Sequence, residues 1–371
     1  MPRRARRPSR PRPRPTPGAP VARLGSPGEI LAAIPLLCGF APTESLVVLS
    51  LRGPRKRIGL TMRFDLDWCD APASAAQEIA DRLVHDGASA AVLVVWSEEP
   101  DALVAPGGPV RTRARAGLVD RVRTSCAEAG VDLAEALLVR ADLWTSYLCT
   151  GRSCCPDDGT PVRAEASPGV DLLRAESALR GRGVLPSRED LVRSIAPPHL
   201  MAAVLADQLM DRAVADWALR HQRDGRRAVQ DGDLAVARSV LDQALTPQGV
   251  GSAEAAVLAV AVTDLQVRDE IATWVLSRPD ELVAALQQAV RLVAPPEDAG
   301  LCALLAWVAY AQGNGALANV ALARALSSDP AHSLASLLLE ALQRQLDPNE
   351  VRRVLEQSRQ EADQRWRDQA S

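Results

Sequence analysis

Ala90-Ala91-Val92-Leu93-Val94-Val95-Trp96 is a seven-residue run with no charged or hydroxyl-bearing side chain. A run this short and this apolar reads as a β-strand covered on both faces, because a half-buried strand would alternate. On its N-terminal side, Ala73 to His85 reads as a helix. Before that lie two more strand-like stretches. Ser45 to Leu51 is apolar and β-branched, and Arg57 to Leu66 sets Ile58, Leu60, Met62, Phe64 and Leu66 on one side. Gly53-Pro54 between them is turn chemistry, which predicts an antiparallel hairpin. On the C-terminal side come a loop holding Pro106-Gly107-Gly108-Pro109, a helix over Thr112 to Ala129, and one or two strands within Ala134 to Leu148. Hairpin, helix, strand, helix, strand is an α/β order, and it predicts a mixed sheet with βαβ-like units.

Order is expected to begin at Ser26. Ser26 serves as N-cap, Pro27 takes the first helical position, and Glu29 reaches back to complete a capping box. Pro35 is expected to kink or end this helix, with Gly39 closing the segment. The 371 residues correspond to about 2.5 average domains, which favours two. The boundaries read as a disordered Arg/Pro-rich tail over 1–23, an α/β domain over 24–155, a Pro/Gly/Asp-rich linker over 156–186 with a short helix at Leu172 to Leu179, and an α-helical domain over 187–371.

After Ser187, a second capping residue, every segment reads helical. Candidate helices run from 188–195 to 348–366, with 224–230 and 233–245 separated at Asp231-Gly232. A weak repeat pairs Asp231-Gly232-Asp233-Leu234-Ala235-Val236-Ala237 with Gln312-Gly313-Asn314-Gly315-Ala316-Leu317-Ala318. Each is similar to the second half of a tetratricopeptide unit: a Gly turn, then small Ala where helices touch. Two readings stand. One is a stack of tetratricopeptide-like helical hairpins with a concave peptide-binding groove; the other is an ordinary helical domain that uses Ala at its crossings.

Apolar residues make up 47% and charged residues 24%, which excludes collagen, a wholly disordered chain and a disulfide mini-scaffold. The longest apolar run, Leu301 to Ala311, is far short of the ~20 residues of a membrane span. Seven arginines and no acid lie within residues 1–20, so the net charge of −3 conceals a body near −10. An acidic body argues against a nucleic-acid-binding core. The tail alone offers an arm for anionic partners such as nucleic acid. No apolar leader follows the arginines, and the seven cysteines are odd in number and dispersed, so a cytoplasmic protein is expected.

Two stretches carry candidate chemistry. Cys149, Cys154 and Cys155 fall within seven residues at the end of a predicted strand, where α/β sheets tend to bind ligands. Thiolates from Cys149 and Cys154 suit zinc, which then needs further donors from His199, His221 or Cys126. A redox reading pairs Cys149 with Cys154, or uses the vicinal Cys154 and Cys155. The bland reading is a tight turn with cysteines as small buried hydrophobes. The second stretch is the loop Gly39 to Ser45, whose Pro42, Glu44 and Ser45 are candidate ligand-binding residues, in the same cleft as the cysteines if the fold unites them. The bland alternative is a turn that starts a strand. Phosphate loops, HExxH and GxSxG are missing, and His85, His199, His221 and His332 have no evident sequence partner.

These segments together carry a resemblance. Ser26-Pro27-Gly28-Glu29-Ile30-Leu31-Ala32-Ala33-Ile34-Pro35 with Gly39-Phe40, Pro42 and Glu44-Ser45-Leu46-Val47-Val48-Leu49 resembles the opening of an actinobacterial family, domain of unknown function 4192. Ser146-Tyr147-Leu148-Cys149, Cys154-Cys155-Pro156 and Gly159-Thr160-Pro161 resemble its middle, and Leu304-Leu305-Ala306 through Asp329-Pro330 its helical end. Glu44 stands where the family often shows Asp. The resemblance spans roughly residues 24–350 and implies no activity. The function expected is that of an interaction or regulatory protein whose helical half binds a protein partner. The alternative is an enzyme or a metal or redox protein centred on Cys149, Cys154 and Cys155.

Overall fold

A computed structural model describes residues 22–70, 74–102, 112–149, 151, 155, 156, 158–162 and 167–370. The front half runs α1 (Pro27–Cys38), β1 (Ser45–Arg52), β2 (Arg57–Asp65), α2 (Leu66–Asp70), α3 (Ser74–His85), β3 (Ala88–Trp96), α4 (Ala116–Glu128), β4 (Asp132–Arg140), β5 (Leu143–Ser146), β6 (Thr160–Pro161) and α5 (Pro168–Leu179). The six strands form one sheet in the order β2-β1-β3-β4-β5-β6. Only β3 and β4 pair in parallel, joined through α4; the other neighbours are antiparallel.

The expected hairpin forms, and the expected two-sided burial of β3 has a direct cause. Ala90, Val92 and Val94 face one layer together with Val47, Leu49, Leu137 and Val139. Ala91, Leu93 and Val95 face the other with Leu46, Val48, Ala136 and Leu138. That second layer is Ile79 and Leu83 of α3 with Leu118 and Val122 of α4. A strand loses its alternation when both its faces are covered. One residue departs from the expected pattern. The β1–β2 register shifts between Leu49 and Leu51, so Ile58 pairs with Leu51 and packs on the opposite face from Met62 and Phe64. A bulge inserts one residue and so flips whatever follows it.

The capping box on α1 forms as expected, but Pro35 does not end the helix. It continues to Cys38 and stops at Gly39, whose φ of 80° is open to glycine and whose N–H donates to the Pro35 carbonyl (2.8 Å). Between 167 and 186 the chain is ordered. Ser167 caps α5, Val170 is buried, and Leu185 bridges Phe40 beside β1.

The back half contains helices and no strands among its described residues: α6 (Arg188–Arg193), α7 (Met201–Gln243), α8 (Ser252–Ala261), α9 (Leu265–Thr273), α10 (Pro279–Val290), α11 (Ala299–Ala311), α12 (Gly315–Ser328), α13 (Ser333–Gln343) and α14 (Pro348–Ala370). The apolar run at 301–311 is α11, which is buried on every side and touches α8, α9, α10, α12, α13 and α14. A helix apolar all round belongs in the middle of a bundle. The core under the α1 face of the sheet continues unbroken through Leu191 and Ile195 into this bundle.

The repeat expected from Gly232 and Gly313 does not form alike in its two copies. Gly313, at φ 72°, makes the turn between α11 and α12, and Asn314 caps α12. Gly232 instead lies inside a continuous helix, and the chain reverses at Gly225 (φ 79°, ψ 164°). The expected break at Asp231-Gly232-Asp233 is overridden by packing. Asp233 is almost fully buried and accepts a 2.9 Å bond from Arg220 on the other arm, which requires that position to be helical and inward-facing.

Candidate functional site

The Pro42–Ser45 loop leads into β1 beside the carboxyl end of β3, where Ser45 pairs with Trp96. Its side chains are committed internally. Glu44 sits at φ 39°; its Oε1 accepts the Glu98 N–H (2.8 Å) and its Oε2 accepts from the Ser97 hydroxyl (3.1 Å). Ser45 is fully buried, donates to the Thr43 carbonyl (2.5 Å) and accepts from Arg63 Nε (2.8 Å). Pro42 is buried. A serine with both capacities used and no solvent contact is poorly placed for nucleophilic attack. Glu44 acts as a latch that holds the chain leaving β3.

The latch belongs to a larger polar network at the carboxyl ends of the parallel pair, where open α/β sheets usually receive ligands. Glu98 Oε1 accepts the Ala141 N–H (3.1 Å), and Arg115 pairs with Glu99 (2.6 Å). Asp101 Oδ1 receives Arg140 (2.7 Å) and the Ala114 N–H (3.1 Å). Burial pushes the Asp101 carboxyl up, but these two donors outweigh it and hold it below the usual carboxylate range. Tyr147, half-buried against the core beneath α4, donates to the Ala114 carbonyl (2.7 Å). The Pro106-Gly107-Gly108-Pro109 loop lies outside the described residues.

The cysteine turn is elsewhere. β5 runs antiparallel to β4, and Ser146 pairs with Leu137, after which Tyr147 N–H donates to the Ala136 carbonyl (2.8 Å). The chain therefore leaves β5 toward the amino end of β4, whereas Glu44 and Ser45 sit level with its carboxyl end. Sheet register thus sets Cys149 apart from Glu44 and Ser45, and the described residues show no cleft common to them. Ser146 builds the turn. Its buried hydroxyl donates to Glu135 Oε1 (2.7 Å) and accepts the N–H groups of Leu148 (3.1 Å) and Cys149 (3.0 Å). Cys149 and Cys155 are half-buried, and Cys155 N–H closes a bond to the Gly151 carbonyl (2.8 Å). Cys154 lies outside the described residues. Among the described residues no three His, Cys, Asp or Glu side chains converge as a metal-binding group. His221 packs on Trp217 at 3.8 Å, and Cys126 lies on the buried face of α4, in the core. Burial raises the Cys126 thiol to about 11, and those of Cys38 and Cys302 to about 12, so these three serve as packing groups.

A feature missed in the sequence lies on the first arm of α7, residues 201–224. Ala206, Met210 and Ala213 pack inward. Met201, Leu205, Gln208, Arg212, Ala215 and Leu219 lie on the opposite face and are all exposed, Met201 by 80% and Leu219 by 64%. Their steps of four and three residues trace a heptad seam, apolar at both ends and polar in the middle. The signal was present in the sequence, masked by an inward apolar stripe on the same helix.

A six-stranded mixed sheet covered by α3 and α4 on one face and by α1 and a helical bundle on the other defines a two-part α/β-plus-helical protein. The chain belongs to the family described as Domain of unknown function (DUF4192), whose model matches residues 27–349. No curated protein and no solved structure matches it. Among the described residues, no helix is long and apolar enough to cross a membrane.

Proposed function

We propose that this is an interaction protein whose helical half binds a partner protein through the first arm of α7. The observation that carries the reading is the outward seam at Met201, Leu205, Ala215 and Leu219, which no other described element covers. Large side chains exposed in register on one helix face are a liability unless another helix takes them. The partner that fits is an amphipathic helix with apolar residues at heptad spacing and a carboxylate opposite Arg212, which makes no ion pair among the described residues. The polar pair Gln208 and Arg212 would fix register at some cost in affinity.

The test uses the full chain with a photo-reactive side chain at position 205 or, as control, at the inward position 210. Crosslinking to one protein from 205, abolished by Leu219→Glu with helical content unchanged, is the expected result. Equal crosslinking with and without Leu219→Glu would overturn the reading.

A further inference from the structure

A small crevice opens where the two halves meet. One wall is the end of α1, with Leu37 and Gly39; another is the chain after α5, with Arg182 and Gly183; the third is the α11–α12 turn, with Gly313 and Asn314. Two bonds pin these walls: Leu185 N–H to the Gly39 carbonyl and Ala41 N–H to the Leu185 carbonyl, both 2.9 Å. The crevice holds about 40 Å³. Since about 10–15 Å³ by this measure admits one water, it takes a group of about three heavy atoms.

The chemistry of the walls is one-sided. Arg63, Arg140, Arg220, Arg268 and Arg324 each have a carboxylate within 3 Å. Arg182, also partly buried, pairs among the described residues with the neutral Gln312 Oε1 (2.5 Å), itself held in place because the Gln312 amide donates to the Pro279 carbonyl (2.6 Å). Burial lowers the Arg182 pKa, Arg180 adds to this, and Asp280 and Glu176 act on it only through space. Asn314 spends its carbonyl oxygen on the Leu317 N–H (3.2 Å), which leaves its NH₂ for another acceptor. Leu37 and Val184 supply exposed apolar edges at the mouth.

Gly183 adds an independent argument. Gly39 and Gly313 are needed for their positive φ. Gly183 has no such φ, and a Cβ there would meet nothing within 4 Å. Neither backbone conformation nor packing calls for glycine at 183, which lines the crevice.

We infer that this crevice is a binding site for a small monocarboxylate, with the Arg182 guanidinium and the Asn314 amide on the carboxylate and a short apolar tail along Leu37 and Val184. A guanidinium presents two parallel donors that match a carboxylate. The three heavy atoms of a carboxylate fit the volume. This site is independent of the α7 seam.

The experiment titrates the full-length protein with sodium butyrate against sodium chloride at equal ionic strength, read by ligand-observed NMR. Saturable binding in the millimolar range is expected, weakened at least ten-fold by Arg182→Gln and by Gly183→Val. The Cβ of Gly183→Val meets nothing within 4 Å, so its thermal midpoint should match the parent. Non-saturable butyrate binding, or binding unchanged in Gly183→Val, would overturn the proposal. Inorganic phosphate is titrated in parallel, and phosphate binding tighter than butyrate would overturn the carboxylate assignment.

Discussion

Arg324 offers the sharpest test of how the bundle holds the segment through Ile195 that carries the core on from beneath the sheet. It projects from α12 and is only 11% exposed. Its Nε donates to Asp298 Oδ2 (2.6 Å), and one terminal nitrogen donates to the carbonyls of Val290 (2.7 Å) and Val293 (3.1 Å). The other donates to the carbonyl of Ile195, in the core that continues from beneath the sheet. Asp298 is completely buried, and its second oxygen has no partner. Arg324→Met keeps the apolar stem and deletes every donor. The carboxylate is then buried without a counter-charge, which costs about 3–5 kcal/mol, and three carbonyls lose charge-assisted bonds. The variant is therefore expected to lose about 4 kcal/mol in urea unfolding. Adding Asp298→Asn removes the orphaned charge and should recover about 1–2 kcal/mol, a non-additivity that two unconnected residues would not show. Far-ultraviolet circular dichroism and tryptophan fluorescence, with Trp96 and Trp144 reporting the sheet and Trp274 and Trp307 the bundle, should move together. A loss below about 1 kcal/mol, additive double-variant energies, or a sheet transition that stays put while the bundle shifts would refute the reasoning.

Three further expectations can be checked directly. Gly225→Ala should destabilise by about 1–3 kcal/mol, because φ 79° with ψ 164° is closed to a Cβ-bearing residue, while Gly232→Ala should be neutral or stabilising by up to about 1 kcal/mol; thermal unfolding of the pair decides where α7 reverses. Asp86 receives Ser50, Arg52 and the Leu60 N–H; burial raises its carboxyl, but these donors outweigh it and the net pKa is lowered. Its contribution is therefore present above the unfolded value near 4 and lost as pH falls through the lower folded value, so the stability gap to Asp86→Asn, about 1–3 kcal/mol at pH 7, should narrow toward pH 3 in urea titrations. Ser45 should resist a fluorophosphonate serine probe in the native protein, and Ser45→Ala should cost about 1–2 kcal/mol through the lost acceptor of Arg63 Nε, which keeps only its Asp65 pair; labelling of Ser45 would contradict its burial.

What the sequence made legible follows the range of the forces involved. The Ser26 capping box, the Gly53-Pro54 hairpin turn and the doubly covered Ala90–Trp96 strand are each set by residues adjacent in the chain, and each is found as read. Ile58 was misplaced because a bulge is decided by the partner strand. Gly232 was misread as a turn because a glycine beside two aspartates looks like one until Asp233 finds Arg220 across the hairpin. The candidate loops were recognisable as unusual, but nothing local shows that Glu44 closes on Ser97 and Glu98, 53 and 54 residues away. Nor can it show that antiparallel β5 carries Cys149 away from that end of the sheet. The Arg182 crevice was invisible for the same reason, since its walls come from segments more than 100 residues apart.

The position of the polar network bears on where function resides. In open α/β sheets the crevice at the carboxyl ends of parallel strands exists because neighbouring loops diverge there. In this sheet β1 and β5, on either side of the parallel pair, are both antiparallel to it. Their turns bring Glu44 and Ala141 onto the same end and tie it through Ser97, Glu98, Asp101 and Arg115. Among the described residues, the side chains of this network at that end are spent on one another. The opposite sheet face is not solvent either, since the bundle covers it. Uncommitted groups concentrate instead at the seam of α7 and at Arg182, one on the bundle and one at its junction with the sheet. Both proposed binding surfaces therefore lie on the bundle or at its junction with the sheet, with the sheet as their base.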